Sequence, residues 1–261
     1  MNEPDEIIKR QWGKGRIRGG RHAFRLAMVM REVKAHFPWG ARVLDAGCGD
    51  GTLSIELIGT GYDVSAVDAS QKCVARLKES LSTFVIPGDG SFSGASVADL
   101  AALPFPDSSF DAAVSGEVLE HLEDDRSAVA EFFRVLRPGG TCIVTVPANP
   151  DLFGIEDEWA GHVRRYEKDG LQKMFEKAGF ATVELYHWGW PVTWLYNRLL
   201  FQRWLKGKLS GGGDPDESGE GGGLATNPVV MALMYAAFSL DRLFTWLPFG
   251  IGLVGVFRKP E

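Results

Sequence analysis

The sequence predicts an α/β fold built around a parallel sheet. Three observations carry that prediction. The chain has 261 residues, 45% of them hydrophobic and 24% charged, enough for a domain with a real core and too apolar for global disorder. An apolar run at residues 42–46 stops at Gly47-Cys48-Gly49-Asp50-Gly51, and a helical segment follows. A second apolar run, at 63–68, then ends on an acid, Asp68. Strand, glycine loop, helix, strand, acid is the opening order of such a sheet.

The elements can be justified in order. Residues 21–36 read as a helix that ends before Phe37-Pro38-Trp39-Gly40. After the strand at 42–46 and the glycine loop, residues 52–58 are helical, and glycines at 59 and 61 stop them. Residues 71–81 form the next helix, and 95–98 a strand ending at Asp99. Residues 110–115 are a strand, with 116–121 opening the next helix. The amphipathic stretch 127–136 stops at Arg137-Pro138-Gly139-Gly140. Residues 141–146 read as a buried strand, 168–178 as a helix, and 181–186 and 252–257 as two further strands.

The chain divides on this reading into a basic flexible arm (1–20), a core (21–187), an insertion (188–248) and the last strand of the core (249–261). The insertion carries a glycine-rich tract at 210–223, read as a flexible linker. Its flanking segments are rich in Trp and Phe: Trp188, Trp190, Trp194 and Trp204, then Phe238, Phe244, Trp246 and Phe249. No stretch there is long enough to span a bilayer. With Arg198, Arg203, Lys206 and Lys208, the segments fit a membrane interface, a lid over a greasy acceptor, or a dimer contact.

Charge and cysteine content narrow the function. The net charge is −6, yet residues 1–42 hold ten Lys and Arg against four Asp and Glu. A basic leader precedes an acidic body, so nucleic acid is not the expected partner. Cys48, Cys73 and Cys142 are widely spaced, which suggests neither a disulfide framework nor a thiolate zinc site. The first residues lack a basic-then-apolar pattern. The expected compartment is the cytoplasm, with peripheral membrane contact through the insertion.

The glycine loop is the first chemical signal. Glycines let backbone pass close to a ligand, helix N–H groups point into the crevice, and an acid ending the next strand can accept from both ribose hydroxyls. That constellation indicates a nucleoside-bearing cofactor. The motifs VLDAGCGDG (43–51), VSAVDAS (64–70), DLAALPFPDSSFD (99–111), EVLEHL (117–122) and VLRPGGTCIVTVP (135–147) together resemble the class I S-adenosylmethionine-dependent methyltransferases, in the broad family that includes ubiquinone-biosynthesis O-methyltransferases. The resemblance covers residues 40–186.

The resemblance implies a Rossmann-like, seven-stranded, mostly parallel sheet with a helical insertion before the last strand. It implies S-adenosylmethionine as cofactor. Asp45, Gly47, Cys48 and Gly49 would hold its methionine portion, Asp68 the ribose, and Ala69, Asp99 and Leu100 the adenine. Ser115 and Gly116 would line the floor with Glu117. It implies methyl transfer to a small or lipid-linked acceptor, at oxygen first.

Acid–base chemistry has its own candidates. Read on one helix, Glu117, Glu120 and His121 share a face at i, i+3 and i+4 and could hold Mg²⁺ or another divalent ion. Similar enzymes with this pattern include small-RNA 3′-terminal 2′-O-methyltransferases, so a metal-assisted RNA-terminus enzyme is the alternative. A catalytically silent binding module is another. His162 follows the fifth strand and could act as general base or further metal ligand, with Glu117 and His121 beside it. Arg164 and Arg165 could instead recognise an anionic acceptor.

Overall fold

The computed structural model describes residues 20–83, 89–210 and 228–261. The basic arm expected at 1–20 lies almost wholly outside these residues, as does the glycine-rich tract after residue 210. The core begins with helix α1 (Gly20–His36) and strand β1 (Arg42–Ala46), followed by α2 (Thr52–Thr60), β2 (Asp63–Asp68) and α3 (Gln71–Thr83). Next come β3 (Ser91–Val97), β4 (Phe110–Gly116), α4 (Asp125–Val135) and β5 (Leu136–Pro147). Helices α5 (Ile155–Ala160) and α6 (Lys168–Lys177) precede β6 (Ala181–Trp188), and β7 (Gly252–Arg258) closes the fold.

The seven strands form one sheet of order β3-β2-β1-β4-β5-β7-β6. All pairs are parallel except those of β7, which runs antiparallel between β5 and β6. The Rossmann-like, mostly parallel α/β architecture expected from the sequence is therefore present. Its central strands are covered on both faces. Val43 and Leu44, adjacent in β1, are both fully buried, because helices pack on either side. One face is filled by Phe132, Leu171, Phe175 and Phe257, the other by Val29, Val33 and Leu57.

The insertion enters as one continuous rod. Helix α7 (Val192–Tyr196) widens into a π turn (Asn197–Phe201) and continues as α8 (Gln202–Ser210). Thr193, Asn197, Phe201 and Leu205, four residues apart, form its buried stripe. Helix α9 (Pro228–Ser239) returns and ends in a 3₁₀ turn (Leu240–Phe244). It docks on α1, where Phe24 lies 6.1–6.3 Å in ring centroids from Trp188, Tyr235 and Phe238. Asp241 joins the two halves by accepting from the Val192 and Thr193 N–H groups at 2.7 and 2.9 Å, the bonds an N-cap supplies.

One expected element differs. Residues 116–121 are not a helical turn in register with Glu117. Gly116 still belongs to β4, and the Glu117 N–H extends the ladder to the Thr145 carbonyl at 2.9 Å. Glu117 then adopts φ 57°, and only Leu119–His121 form a short 3₁₀ turn. Strand pairing wins over the helical spacing, so Glu117 leaves the face that Glu120 and His121 share.

Candidate active site

Strand order reverses between β1 and β4, so a crevice opens at their carboxyl ends. The loop after β1 occupies it. Gly47, Gly49 and Gly51 all have positive φ, at 85°, 53° and 83°, which L side chains rarely adopt. Their surroundings give them different work. A Cβ on Gly47 would stand 2.4 Å from Val118, and one on Gly51 2.3 Å from Leu77. These two allow close packing. A Cβ on Gly49 would meet nothing within 4 Å, because Gly49 faces an open cleft of about 410 Å³.

That cleft is lined by the cofactor residues expected from the sequence: Asp45, Gly47, Cys48, Gly49, Asp68, Ala69, Asp99, Leu100 and Gly116. Ser115, expected with them, does not line the cleft; it is buried next to Gly116 with no hydrogen bond to its hydroxyl. Asp68 takes the Gly49 N–H on one carboxylate oxygen and the Ser70 N–H on the other, both at 2.8 Å. Each oxygen keeps a lone pair for a further donor. Asp99 accepts from the Ala101 N–H at 2.9 Å and stands exposed at the rim beside buried Leu100.

The cleft is strongly acidic. Burial pushes the Asp45 carboxyl up to about 7, the Ser54 hydroxyl bond at 2.5 Å opposes it, and Asp68 and Asp50 push it further up. Burial likewise raises Asp68, against its two backbone bonds. A cationic ligand would relieve this crowding. The same burial raises the Cys48 thiol, which leaves it a packing group rather than a nucleophile. An open glycine, a doubly anchored carboxylate, an acidic wall and the orphaned Thr145 hydroxyl fit a cationic, ribose-bearing cofactor.

A second cavity of about 240 Å³ adjoins the first. Trp159, Trp188 and Trp194 give it aromatic walls, and Asn197 and Gln202 of the insertion give it polar ones. His22, Arg25 and Glu117 line both cavities and form the partition between them. Arg25 Nη1 lies 3.0 Å from Glu117 Oε2, while Glu117 Oε1 is buried with no partner.

His162 opens onto this second cavity. Its Nδ1 lies 2.8 Å from Asp157 Oδ1, which Arg165 Nε also reaches at 2.8 Å. Burial alone would raise Asp157, but the bonds from His162 and Arg165 more than offset it and hold it ionised. An Nδ1–H donated to Asp157 leaves Nε2 as the free lone pair. Arg165 is thereby committed to Asp157, and Arg164 to Asp125 at 2.9 Å. Arg164 lies outside both cavities, whereas Arg165 lines the second one while it holds Asp157.

Glu120, His121 and His162 converge, each with one donor atom within 4.8 Å of the other two. Glu117 is not in this group, which corrects the expected trio. Glu120 is fully buried; neither carboxylate oxygen has a hydrogen bond, and His162 Nε2 stands 3.8 Å from Oε1. Burial, then Glu117, holds its carboxyl well above the usual range. Burial and the neighbouring His162 lower His121 to about 4. Two imidazoles and an orphaned carboxylate suit a transition metal better than Mg²⁺, which prefers an all-oxygen shell.

Arg25, His22 and Asp157 escape the sequence reading. Arg25 sits in a helix outside every recognisable motif, and Asp157 precedes His162 by five residues with no known spacing rule.

A seven-stranded sheet with antiparallel β7, an open glycine at its switch point and a cleft-lining acid at the end of β2 define a class I S-adenosylmethionine-dependent methyltransferase fold. Residues 44–144 match a family model described as a methyltransferase domain. A Mycolicibacterium smegmatis protein named "Probable S-adenosylmethionine-dependent methyltransferase" is 32% identical, over 63% of this chain and 62% of its own length. A ubiquinone biosynthesis O-methyltransferase of Xanthomonas campestris is 36% identical, over 56% and 63%. The chain thus spans about six-tenths of the length of these curated relatives. Among solved structures, the [4+2]-cyclase SpnF shares the fold at TM-score 0.59 and 23% identity, over 90% of this chain and 80% of SpnF.

Proposed function

We propose that this protein transfers the methyl group of S-adenosylmethionine to a hydroxyl on a small or lipid-linked acceptor. The observation that carries the reading is the pair of cavities sharing one wall at Glu117 and Arg25. One is acidic and opens on Gly49 and Asp68; the other is aromatic and holds an oriented imidazole. S-adenosylmethionine supplies an electrophilic methyl on a sulfonium. Asp68 accepts the ribose hydroxyls, Asp45 and Asp50 face the cationic portion, and Gly49 lets backbone approach. The partition fixes the line between cofactor and acceptor, and the tryptophans exclude water. His162 Nε2 removes the acceptor proton, with Asp157 fixing the ring.

O-methyltransferase names among relatives support oxygen as the acceptor atom. A cavity of about 240 Å³ walled by tryptophans suits a small or greasy head better than an RNA terminus. Calorimetry with S-adenosylmethionine tests the reading. Micromolar binding, with turnover on phenolic acceptors, supports it; an intact fold that binds no cofactor sinks it.

The orphaned Glu120 oxygens favour a second reading of the proton step, in which Glu120, His121 and His162 hold a divalent ion that lowers the acceptor hydroxyl pKa. Glu120→Gln separates the two. Retained turnover, insensitive to chelator, leaves His162 as the base. Turnover lost with the variant or with EDTA, and restored by Zn²⁺ or Mn²⁺, assigns the ion.

A further inference from the structure

Nine of the fourteen exposed large apolar side chains among the described residues lie between 195 and 246, all in the insertion. They are arranged, not scattered. On α9 and the turn after it, Leu233, Ala236, Leu240 and Leu243 face outward at steps of three and four, and Trp246 follows at 76% exposure. The opposite side of α9 is the one docked on Phe24. The rod before it shows the same split. Its buried stripe faces the core, while Leu195, Leu199 and Leu200 face out.

Charge gives the outward face its partner. Residues 188–210 carry Arg198, Arg203, Lys206 and Lys208 and no acid, within a chain of net charge −6. None of the four pairs with a carboxylate among the described residues. On the rod, exposed Arg203 and Lys206 fall in sequence between exposed Leu199 and Leu200 and exposed Leu209, so cations and apolar side chains share one solvent-facing element. No described helix is long and apolar enough to cross a membrane. Apolar side chains flanked by Lys and Arg on a helix too short to span are the signature of an element lying in the lipid interface.

We propose that the outward face of the insertion binds an anionic lipid surface. The leucines and Trp246 enter the headgroup region, and Arg203, Lys206 and Lys208 meet the phosphates, while Arg198 stacks over Trp194 at the cavity wall. The rod that binds lipid also supplies Asn197 and Gln202 to the acceptor cavity, so the cavity wall rests on the membrane. The inference does not depend on methyl transfer, because the assay needs no cofactor.

Co-sedimentation of the full chain with phosphatidylcholine vesicles, with and without phosphatidylglycerol, tests it. Binding should rise at least about tenfold with phosphatidylglycerol, since each basic residue near the surface contributes about 1 kcal/mol. Leu233→Glu with Leu240→Glu should abolish binding. Arg203→Glu with Lys206→Glu should cost about tenfold or more while leaving the apolar face intact. Both should keep the wild-type circular-dichroism spectrum and melting temperature, which report an intact fold. Absence of sedimentation with anionic vesicles overturns the proposal. A wild-type dimer that Leu233→Glu with Leu240→Glu converts to monomer, seen by light scattering, also overturns it and assigns the face to a second copy of the chain.

Discussion

Arg25 and Glu117 meet at 3.0 Å on the wall that separates the two cavities. Glu117 reaches that point in a left-handed backbone conformation, with its second oxygen buried and unpaired. Such strain persists where the surroundings over-determine it, commonly at functional sites. Arg25→Ala leaves a half-buried carboxylate without its cation. We expect a loss of about 1–3 kcal/mol in urea unfolding, with kcat falling more than cofactor affinity. Equal losses in both would show that the pair only holds the fold.

Asp68 is the test of the cofactor half. Asp68→Ala removes the acceptor for the ribose and for the Gly49 and Ser70 N–H groups. Charge-assisted bonds are worth about 1.5–3 kcal/mol each, so losing both ribose bonds should lower S-adenosylmethionine affinity by about a hundredfold or more. Acceptor KM at saturating cofactor should hold. Calorimetry reads the first and steady-state kinetics the second.

Asp45 predicts a pH dependence. Its carboxyl is raised from 3.8 to about 7 in the folded chain. The unfolded chain therefore releases this proton at lower pH than the folded one. Between those values the folded state binds more protons, so this group's contribution to stability falls as pH rises through the window. A cationic ligand favours the carboxylate and expels the proton. Cofactor affinity should weaken below pH 7, approaching about tenfold per unit. Calorimetry in buffers of different ionisation enthalpy should show proton release at pH 6 and little at pH 8.

Asp241 tests the coupling of the insertion's halves. Asp241→Ala removes both bonds to the start of α7. A lost cap costs about 1–2 kcal/mol, and the residue is buried. Limited proteolysis should cut the insertion faster, while S-adenosylmethionine affinity stays at the wild-type value. Unchanged proteolysis would mean that aromatic packing on Phe24 alone holds the insertion.

The cofactor half was legible because its signals are local. The loop from Gly47 to Gly51 and the acid at Asp68 declare themselves within single strand–helix turns. The acceptor half depends on groups that meet only in space. Arg25 reaches Glu117 across ninety residues of chain, and Asp157 turns His162 from within a short helix. Glu117 itself misled the helical reading, because E-V-L-E-H-L has helical spacing while its first residue continues a strand ladder. Strand pairing is decided by the neighbour, here Thr145, and no window of sequence contains it.

The insertion begins and ends at one place. Trp188 pairs with Gly252 across β6 and β7, and the Ile251 N–H donates to the Trp188 carbonyl at 2.9 Å. Everything between is, topologically, the tip of a β-hairpin. Lengthening or replacing such a tip costs little closure entropy. The sheet and the glycine loop do not register its length. A lineage, or an engineer, can therefore exchange this tip as a cassette, rebuilding the insertion's wall of the second cavity while the loop from Gly47 to Gly51 stays fixed.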